Sequence, residues 1–454
     1  MDESAKATRD DAALQAALSY PLFDTFLHRR SRRISKGLKS VPAGSLSYKS
    51  TQEAQPLEPI EEALLILATG VTGVTMPDQP FTTPSGEPLV GSPMVEVNGR
   101  AASSPDNAQG THFFLLNDTG TYFLRRPTDV DPSYFQDGIT AAKLIAYAEK
   151  CKVRVLDHRL DFPREYPCYL GRNKYVSNLP GTTILLPIVD LTEQYINGMM
   201  FLFTQPDGQR PTFIDDWNFY RSAGLKKWER SGFLNKGLPI PLGYMSTFRI
   251  HIEAELLVQN VLLTIQALGL GGWVHAAFIG PILFGSAEYR TKYGPGLNFR
   301  FHDPRRPIRK LLKFLHPLPT WQPNPVGLDK VIEGYCPPYY GSMNEAVDAL
   351  LEHKYGKGGL YTDPTEFAKV FKAGLAEKFI AEVPHYSDEV IACCKAVCNY
   401  IFETYDRFPA HVDAMYVPGV WVQAHHLDLE YYDELYKGGY SDTQRDHQRL
   451  WHTP

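Results

Sequence analysis

The chain has 454 residues, 43% of them apolar and 12% aromatic, enough to bury a large core, and this composition excludes a disordered or low-complexity polymer. Lys and Arg number 46 against 51 Asp and Glu, so the formal charge of −5 offers no basic excess for nucleic acid or an anionic membrane. Six cysteines without a CxxC pair exclude a disulfide framework or zinc ribbon and read as reduced, mostly buried thiols.

The opening MDESAKATRDDAALQ is acidic and polar, without the layout of a signal or transit peptide, which points to the cytoplasm. It reads as a helical or frayed leader. Leu22, Phe23, Phe26 and Leu27 then recur at helical spacing and run into the basic Arg29-Arg30-Ser31-Arg32-Arg33. Leu38 to Gln55 is a polar loop. PLEPIEEALLILATG predicts a helix opening near Pro59, with Glu61 and Glu62 in its first turn and Gly70 at its end.

From Val74 to Asn107 the many Pro, Gly, Ser and Thr predict loops and short strands around a site. THFFLLND and TGTYFLRR predict a hairpin turning at Asp118, Thr119 and Gly120. Ile139 to Lys150 reads as a helix, Val153 to Leu156 as a strand, and Thr182 to Leu191 as an apolar strand.

Residues 215 to 244, rich in Trp, Tyr, Phe and Gly, read as an irregular aromatic excursion. Trp217, Phe219, Tyr220 and Trp228 there are candidates for a lid or for a packed insertion. Thr247 to Leu268 is the longest predicted helix, capped by Ser246, stopped by Gly269 and buried on more than one side. GGWVHAAF returns as a strand. The apolar stretch 256 to 285 carries Gln259, Asn260, Gln266 and His275, so no membrane span is expected. Beyond a basic, Pro-rich segment the last third reads as helices near 342 to 354, 364 to 382 and 387 to 404, with a boundary near 310 to 325.

No Walker loop, HExxH, GxSxG or EF-hand pattern is present. Three constellations carry chemistry. The four arginines around Ser31 offer paired donors that suit a phosphate dianion, or else form a solvated charged face. Arg100 and Ser103-Ser104-Pro105-Asp106-Asn107-Ala108-Gln109 precede an apolar strand, where short hydroxyls and amides can hydrogen-bond a flat polar heterocycle or form an ordinary turn. Glu253, Gln259 and Asn260 need partners on a mostly apolar helix.

In this order, RRSRR, PLEPIEEALLILATGVTG, SSPDNAQGTHFFLL and EAELLVQNVLLTIQALGLGGW, the chain resembles the FMN-dependent nitroreductase superfamily over about residues 20 to 285. The PLEPIEEALLILATGVTG stretch is most similar to the azoline-oxidising dehydrogenase branch. The resemblance implies an α+β, nitroreductase-like fold, a mixed, mostly antiparallel sheet surrounded by helices, with a helical carboxy-terminal extension. Its divisions are an amino-terminal arm over 1 to 55, an FMN-binding core over 56 to 310 and the extension over 311 to 454.

The resemblance further implies that Arg29, Arg30, Ser31 and Arg33 contact the FMN phosphate and one ring edge. Ser103, Ser104, Asn107 and Gln109 approach the ring from the other protomer of a homodimer, Glu253, Gln259 and Asn260 match its long interface helix, and Gly271 and Gly272 belong to the turn near the phosphate. Arg305, Arg306 and Arg309 are nominated for a late phosphate contact; Arg32 stands where the family more often has an uncharged residue. The implied activity is hydride transfer between NAD(P)H or a reduced substrate and a small or peptide-like acceptor in a ping-pong cycle, with no assigned catalytic residue. Two other readings stand beside it: a non-catalytic flavin-binding scaffold, and a metal-dependent protein using His411, Asp413, His425, His426, Asp428 and Glu430.

Overall fold

The computed structural model describes all residues except 1–2, 71–72, 78–80, 83–87, 90–93, 95, 105–106, 126–134, 136, 247, 277–278, 305–321 and 453–454. Its centre is a sheet built first from a hairpin, β1 (Thr111–Asn117) and β2 (Gly120–Leu124), whose turn falls at Asp118 and Thr119 as the sequence predicts. Asn117 Oδ1 closes that turn by accepting from the Thr119 amide at 2.9 Å. The run THFFLLN is almost continuously apolar because both faces of β1 are covered: Phe113 and Leu115 belong to one core, Phe114 and Leu116 to the other.

β3 (Lys152–Leu156) extends the sheet beyond β2, and β4 (Thr183–Asp190) pairs on the far side of β1. Further along the chain come β5 (Pro211–Asp215), in a small separate sheet, and β6 (Gly271–His275). Between β4 and β6 lies β7 (Trp421–His425), giving the antiparallel order β6-β7-β4-β1-β2-β3. The expected carboxy-terminal extension is therefore no separate helical appendage: its strand β7 fills the gap between two strands some 90 residues apart in the core. The pairing is wholly non-local, which is why helical and strand periodicities did not reveal it.

Four helices cover one face of the sheet: α1 (Glu3–Leu18), α3 (Pro59–Thr69), α4 (Ala141–Cys151) and α6 (Phe248–Ala267), the short α2 (Leu22–His28) lying on α6. Gly269, at φ 76°, stops α6 at the predicted place, and a short 3-10 turn, Tyr244–Ser246, precedes residue 247. A third core joins α5 (Thr192–Phe203), α7 (Met343–Tyr355) and α8 (Asp388–Tyr405), where Cys393, Cys394 and Cys398 are buried. All six cysteines are buried thiols, as the sequence predicts. The chain closes with α9 (Leu429–Leu435) and α10 (Asp442–His452). Among the described residues no helix is long and apolar enough to cross a membrane.

The start of α3 carries an unusual load. Glu61 Oε2 accepts from the Glu58 amide at 2.6 Å as half of a capping box. The same carboxylate lies 3.0 Å from His426 Nε2, just past β7, and 2.9 Å from His447 Nε2 of α10, with all three side chains buried. Burial alone would push the Glu61 carboxyl up; His426 and then His447 overcome that and hold it well below its ordinary 4.5. A carboxyl depressed in the folded state stabilises the fold above its unfolded value and loses that contribution as pH falls below about 4.5. Glu61→Gln is expected to cost roughly 3–5 kcal/mol, the penalty of breaking a buried pair, and to flatten the acid limb of a Tm-versus-pH profile. A profile identical to that of the parent protein would contradict this account.

Candidate functional site

The basic run leaves α2 in extended conformation and is strung along the ends of β6 and β7. Arg32 N donates to the Gly272 carbonyl at 3.2 Å, Lys36 N to the His426 carbonyl at 2.8 Å, and Asp428 N to the Ile34 carbonyl at 3.2 Å. A Cβ on Gly271 would fall 2.3 Å from Leu427 Cδ2, and one on Gly272 would fall 2.8 Å from Ile265 Cγ2. Gly271 and Gly272, expected to touch a cofactor, are buried spacers that do not line the adjoining cavity.

Beside this strap opens a cavity of about 1060 Å³, at the upper edge of the range of about 300–1,000 Å³ usual for ligand pockets. Arg32, Arg33, Arg172, Lys174 and Lys437 converge on it with Ser31, and none of its lining residues is Asp or Glu. Tyr432 and Tyr436 of the α9 end, with Tyr175, supply flat walls. The Tyr432 hydroxyl is fixed by accepting from the Arg33 and Ile34 amides at 3.1 and 3.3 Å. The Arg32 guanidinium, which burial pulls below its ordinary value, donates through Nε to the Gly439 carbonyl and lies 5.8 Å from the Tyr432 ring centre. The Arg33 guanidinium lies 5.3 Å from the Trp273 ring.

Behind Trp273 stacks His275, with ring centres 4.2 Å apart. Burial, reinforced by Arg33, pushes its pKa down to about 3, so the ring is neutral at physiological pH. The Trp421 indole can only donate, so it fixes Nδ1 of His275 as acceptor and leaves Nε2–H to donate to Ser177 Oγ at 3.0 Å.

Of the residues expected at a phosphate, Ser31 and Arg33 therefore line the cavity, and so does Arg32. Arg29 is instead the C-cap of α2 and Arg30 is exposed, its Nη1 donating to the Arg29 carbonyl at 2.7 Å; neither lines the cavity. Arg305, Arg306 and Arg309 lie outside the described residues. Arg172, Lys174 and Lys437 were missed by sequence reasoning. Only the tyrosine-lysine-glycine run at 431 to 439 held a local signal for them.

The second constellation assembles as a network. Ser104 Oγ donates to Glu253 Oε2 and accepts from the Gln109 amide at 3.0 Å, while Glu253 Oε1 accepts from the Thr111 amide at 2.8 Å. Gln109 Nε2 donates to Asn107 Oδ1 at 2.8 Å, and Asn107 Nδ2 to the Glu96 carbonyl at 2.8 Å. Asn107 and Gln109 both hold left-handed backbone, at φ 52° and 49°. Such conformations cost energy in residues other than glycine and concentrate at functional loops. Gln109 Oε1 is buried and accepts no hydrogen bond among the described residues.

Glu253 was expected to face a ligand or a subunit. It is instead fully buried, with Arg100 Nη1 3.6 Å away, and serves as the post to which the loop is tied. Ser103 is exposed and takes no part in the network, and Pro105 and Asp106 lie outside the described residues. Gln259 is exposed and Asn260 half-buried on the outer side of α6, where Ile252 and Leu256 are also exposed.

The two constellations sit at opposite ends of α6. From Glu253 to Ala267 the helix advances about 21 Å at 1.5 Å per residue, and the cavity lies beyond that end. Within one chain they do not meet.

The carboxy-terminal His/Asp set does not assemble. His426 joins Glu61, His411 lies 3.1 Å from Asp216, and Asp413 pairs with Arg407 at 2.7 Å. Asp428 caps α9 and accepts from Tyr48 at 2.8 Å, Glu430 accepts from Thr51 at 2.6 Å, and His425 Nδ1 lies 3.3 Å from Gln423. Trp228 of the excursion is packed in a core, whereas Trp217, Phe219 and Tyr220 are exposed.

No protein-family model matches the chain, and no curated protein does. Among solved structures, one titled a "putative nitroreductase" from Ralstonia eutropha JMP134 is 15% identical, covering 57% of this chain and 71% of that one. Its TM-score is 0.26, and at that value the likeness carries no argument about this chain.

If Gly271 is a spacer, Gly271→Ala is expected to cost about 1–3 kcal/mol, the usual penalty of overpacking. Chemical denaturation measures it directly, and a neutral result would show that Leu427 and His425 yield without strain.

Proposed function

We propose that the chain is an FMN-dependent oxidoreductase that works as a homodimer. The observation that carries this reading is the cavity itself, where five cationic side chains and a wall of tyrosines converge without an opposing carboxylate. That donor set suits an anion attached to a flat aromatic body, as in a flavin mononucleotide. Arg32, Arg33 and Lys437 would hold the phosphate, with Arg172 and Lys174 at hand. When bound, the flavin supplies hydride chemistry between NAD(P)H or a reduced substrate and a small or peptide-like acceptor, in a ping-pong cycle.

The other residues act on position and polarity. Ser104, Asn107 and Gln109 are uncharged and tied in place by Glu253, so they can match the polar edge of a heterocycle without a new charge. Because they stand at the far end of α6 from the cavity, they would serve the site of the second copy.

The surface offers a face for that copy. Leu22, Phe23, Phe26 and Leu27 of α2, which packs on α6, are exposed, and so are Ile252 and Leu256 of α6; exposed apolar side chains in number suit a contact with another chain. A two-fold axis through this face and perpendicular to α6 would run the two α6 helices antiparallel and bring unlike ends together. No described side chain is positioned as an obvious proton donor to a substrate, and no catalytic residue is assigned.

Titration with FMN and with riboflavin, which lacks the phosphate, tests the reading. One FMN per chain is expected, and Arg33→Ala or Lys437→Ala should weaken FMN binding by about tenfold or more, the worth of one charge-assisted hydrogen bond, with riboflavin binding unchanged. Equal binding of both flavins, or of neither, would overturn the placement.

A further inference from the structure

Near the end of β5, remote in sequence from the basic strap and from the amide loop, two acidic residues meet a histidine. Asp215, Asp216 and His411 bring ligand atoms to within 4.8 Å of one another. Acidic side chains in a group are commonplace; the histidine sets this one apart. The His411 side chain is 5% exposed, and neither ring nitrogen completes a hydrogen bond, although Nε2 points at Asp216 Oδ1 from 3.1 Å. A buried imidazole whose nitrogens complete no hydrogen bond is costly, and a cation held between Nε2 and Asp216 would satisfy one of them.

The surroundings fit an ion. Asp216 is 22% exposed, so the group opens to solution, and its Oδ1 is oriented by the Gly243 amide at 3.0 Å. The Asp215 carboxylate is held by Tyr405 at 2.6 and 2.7 Å, by Tyr400 at 2.9 Å and by the Trp217 amide at 3.1 Å. The single Tyr405 proton, the Tyr400 hydroxyl and the Trp217 amide fix its direction and leave about one of its four acceptor sites for an ion. The nearby Arg407 is paired with Asp413 at 2.7 Å. A first-row divalent ion with one nitrogen and one oxygen ligand about 2.0–2.2 Å away spaces them roughly 3.3 Å apart, close to the contact seen.

We propose that Asp216 and His411, with Asp215, form a divalent transition-metal site, zinc-binding in the first instance, that braces the turn following β5. Trp217 stacks on His411 with ring centres 5.0 Å apart, and the tip beyond it holds Phe219 and Tyr220 in left-handed backbone at φ 55° and 52°. An ion on His411 fixes the base of that strained, exposed aromatic tip. The site does not depend on the flavin reading.

The test is calorimetric titration of Zn2+ into the full chain after chelation and dialysis, with His411→Gln and Asp216→Asn alongside and folding checked by circular dichroism. One Zn2+ per chain is expected in the parent protein, weakened at least about tenfold in each variant. Asp216→Asn alters a side chain partly open to solvent, so it keeps the test valid should His411→Gln fail to fold. No uptake by the parent protein up to about 0.1 mM would overturn the proposal. Uptake equal in parent and variants would do the same, and would direct attention to Glu61, His426 and His447.

Discussion

The buried carboxylate of Glu61 is the constraint on which the rest depends. It closes the capping box of α3, receives His426 at the end of β7 and receives His447 from α10, so one side chain ties the amino-terminal helices to the last strand and the last helix. The arginine strap hangs from the same place. Lys36 bonds the His426 carbonyl and Asp428 bonds the Ile34 carbonyl, so the position of Arg32 and Arg33 follows from where Glu61 holds residue 426. A charge buried this deeply is tolerated only because both of its oxygens are matched.

Much of the core was legible because its signals are local. The β1–β2 turn follows from Asn117 to Gly120, the stop of α6 from Gly269, and the two-sided burial of β1 from the unbroken THFFLLN run. The failures share one cause, which is contact between segments far apart in the chain. The place of the strand Trp421–His425 is set by its partners β4 and β6, which lie far away in the chain. The six His, Asp and Glu residues from 411 to 430 looked like one cluster, yet their partners lie at Glu61, Asp216, Arg407, Tyr48 and Thr51. The cavity draws on residues 31 to 46, 171 to 176 and 431 to 439, and only the first of these was singled out.

The arrangement also changes what several expected site residues do. Gly271 and Gly272 act as spacers, and Glu253 acts as an anchor paired with Arg100. The strained Asn107 and Gln109 are held by that anchor at one end of α6 while the cations gather past the other. A rigid helix about 30 Å long keeps these two groups apart in a single chain. Their joint use therefore requires a second copy, and the exposed apolar residues of α2 and α6 supply the surface on which it would rest.

Subunit mixing tests that central claim most directly. Chains carrying Arg33→Ala with Lys437→Ala are combined with chains carrying Asn107→Ala with Gln109→Ala, and bound FMN is counted in the reassociated sample. A site shared between two copies predicts that each mixed dimer regains one intact site that neither parent variant possesses. FMN bound by a monomer, or mixtures that bind no more than the two variants do separately, would contradict the account.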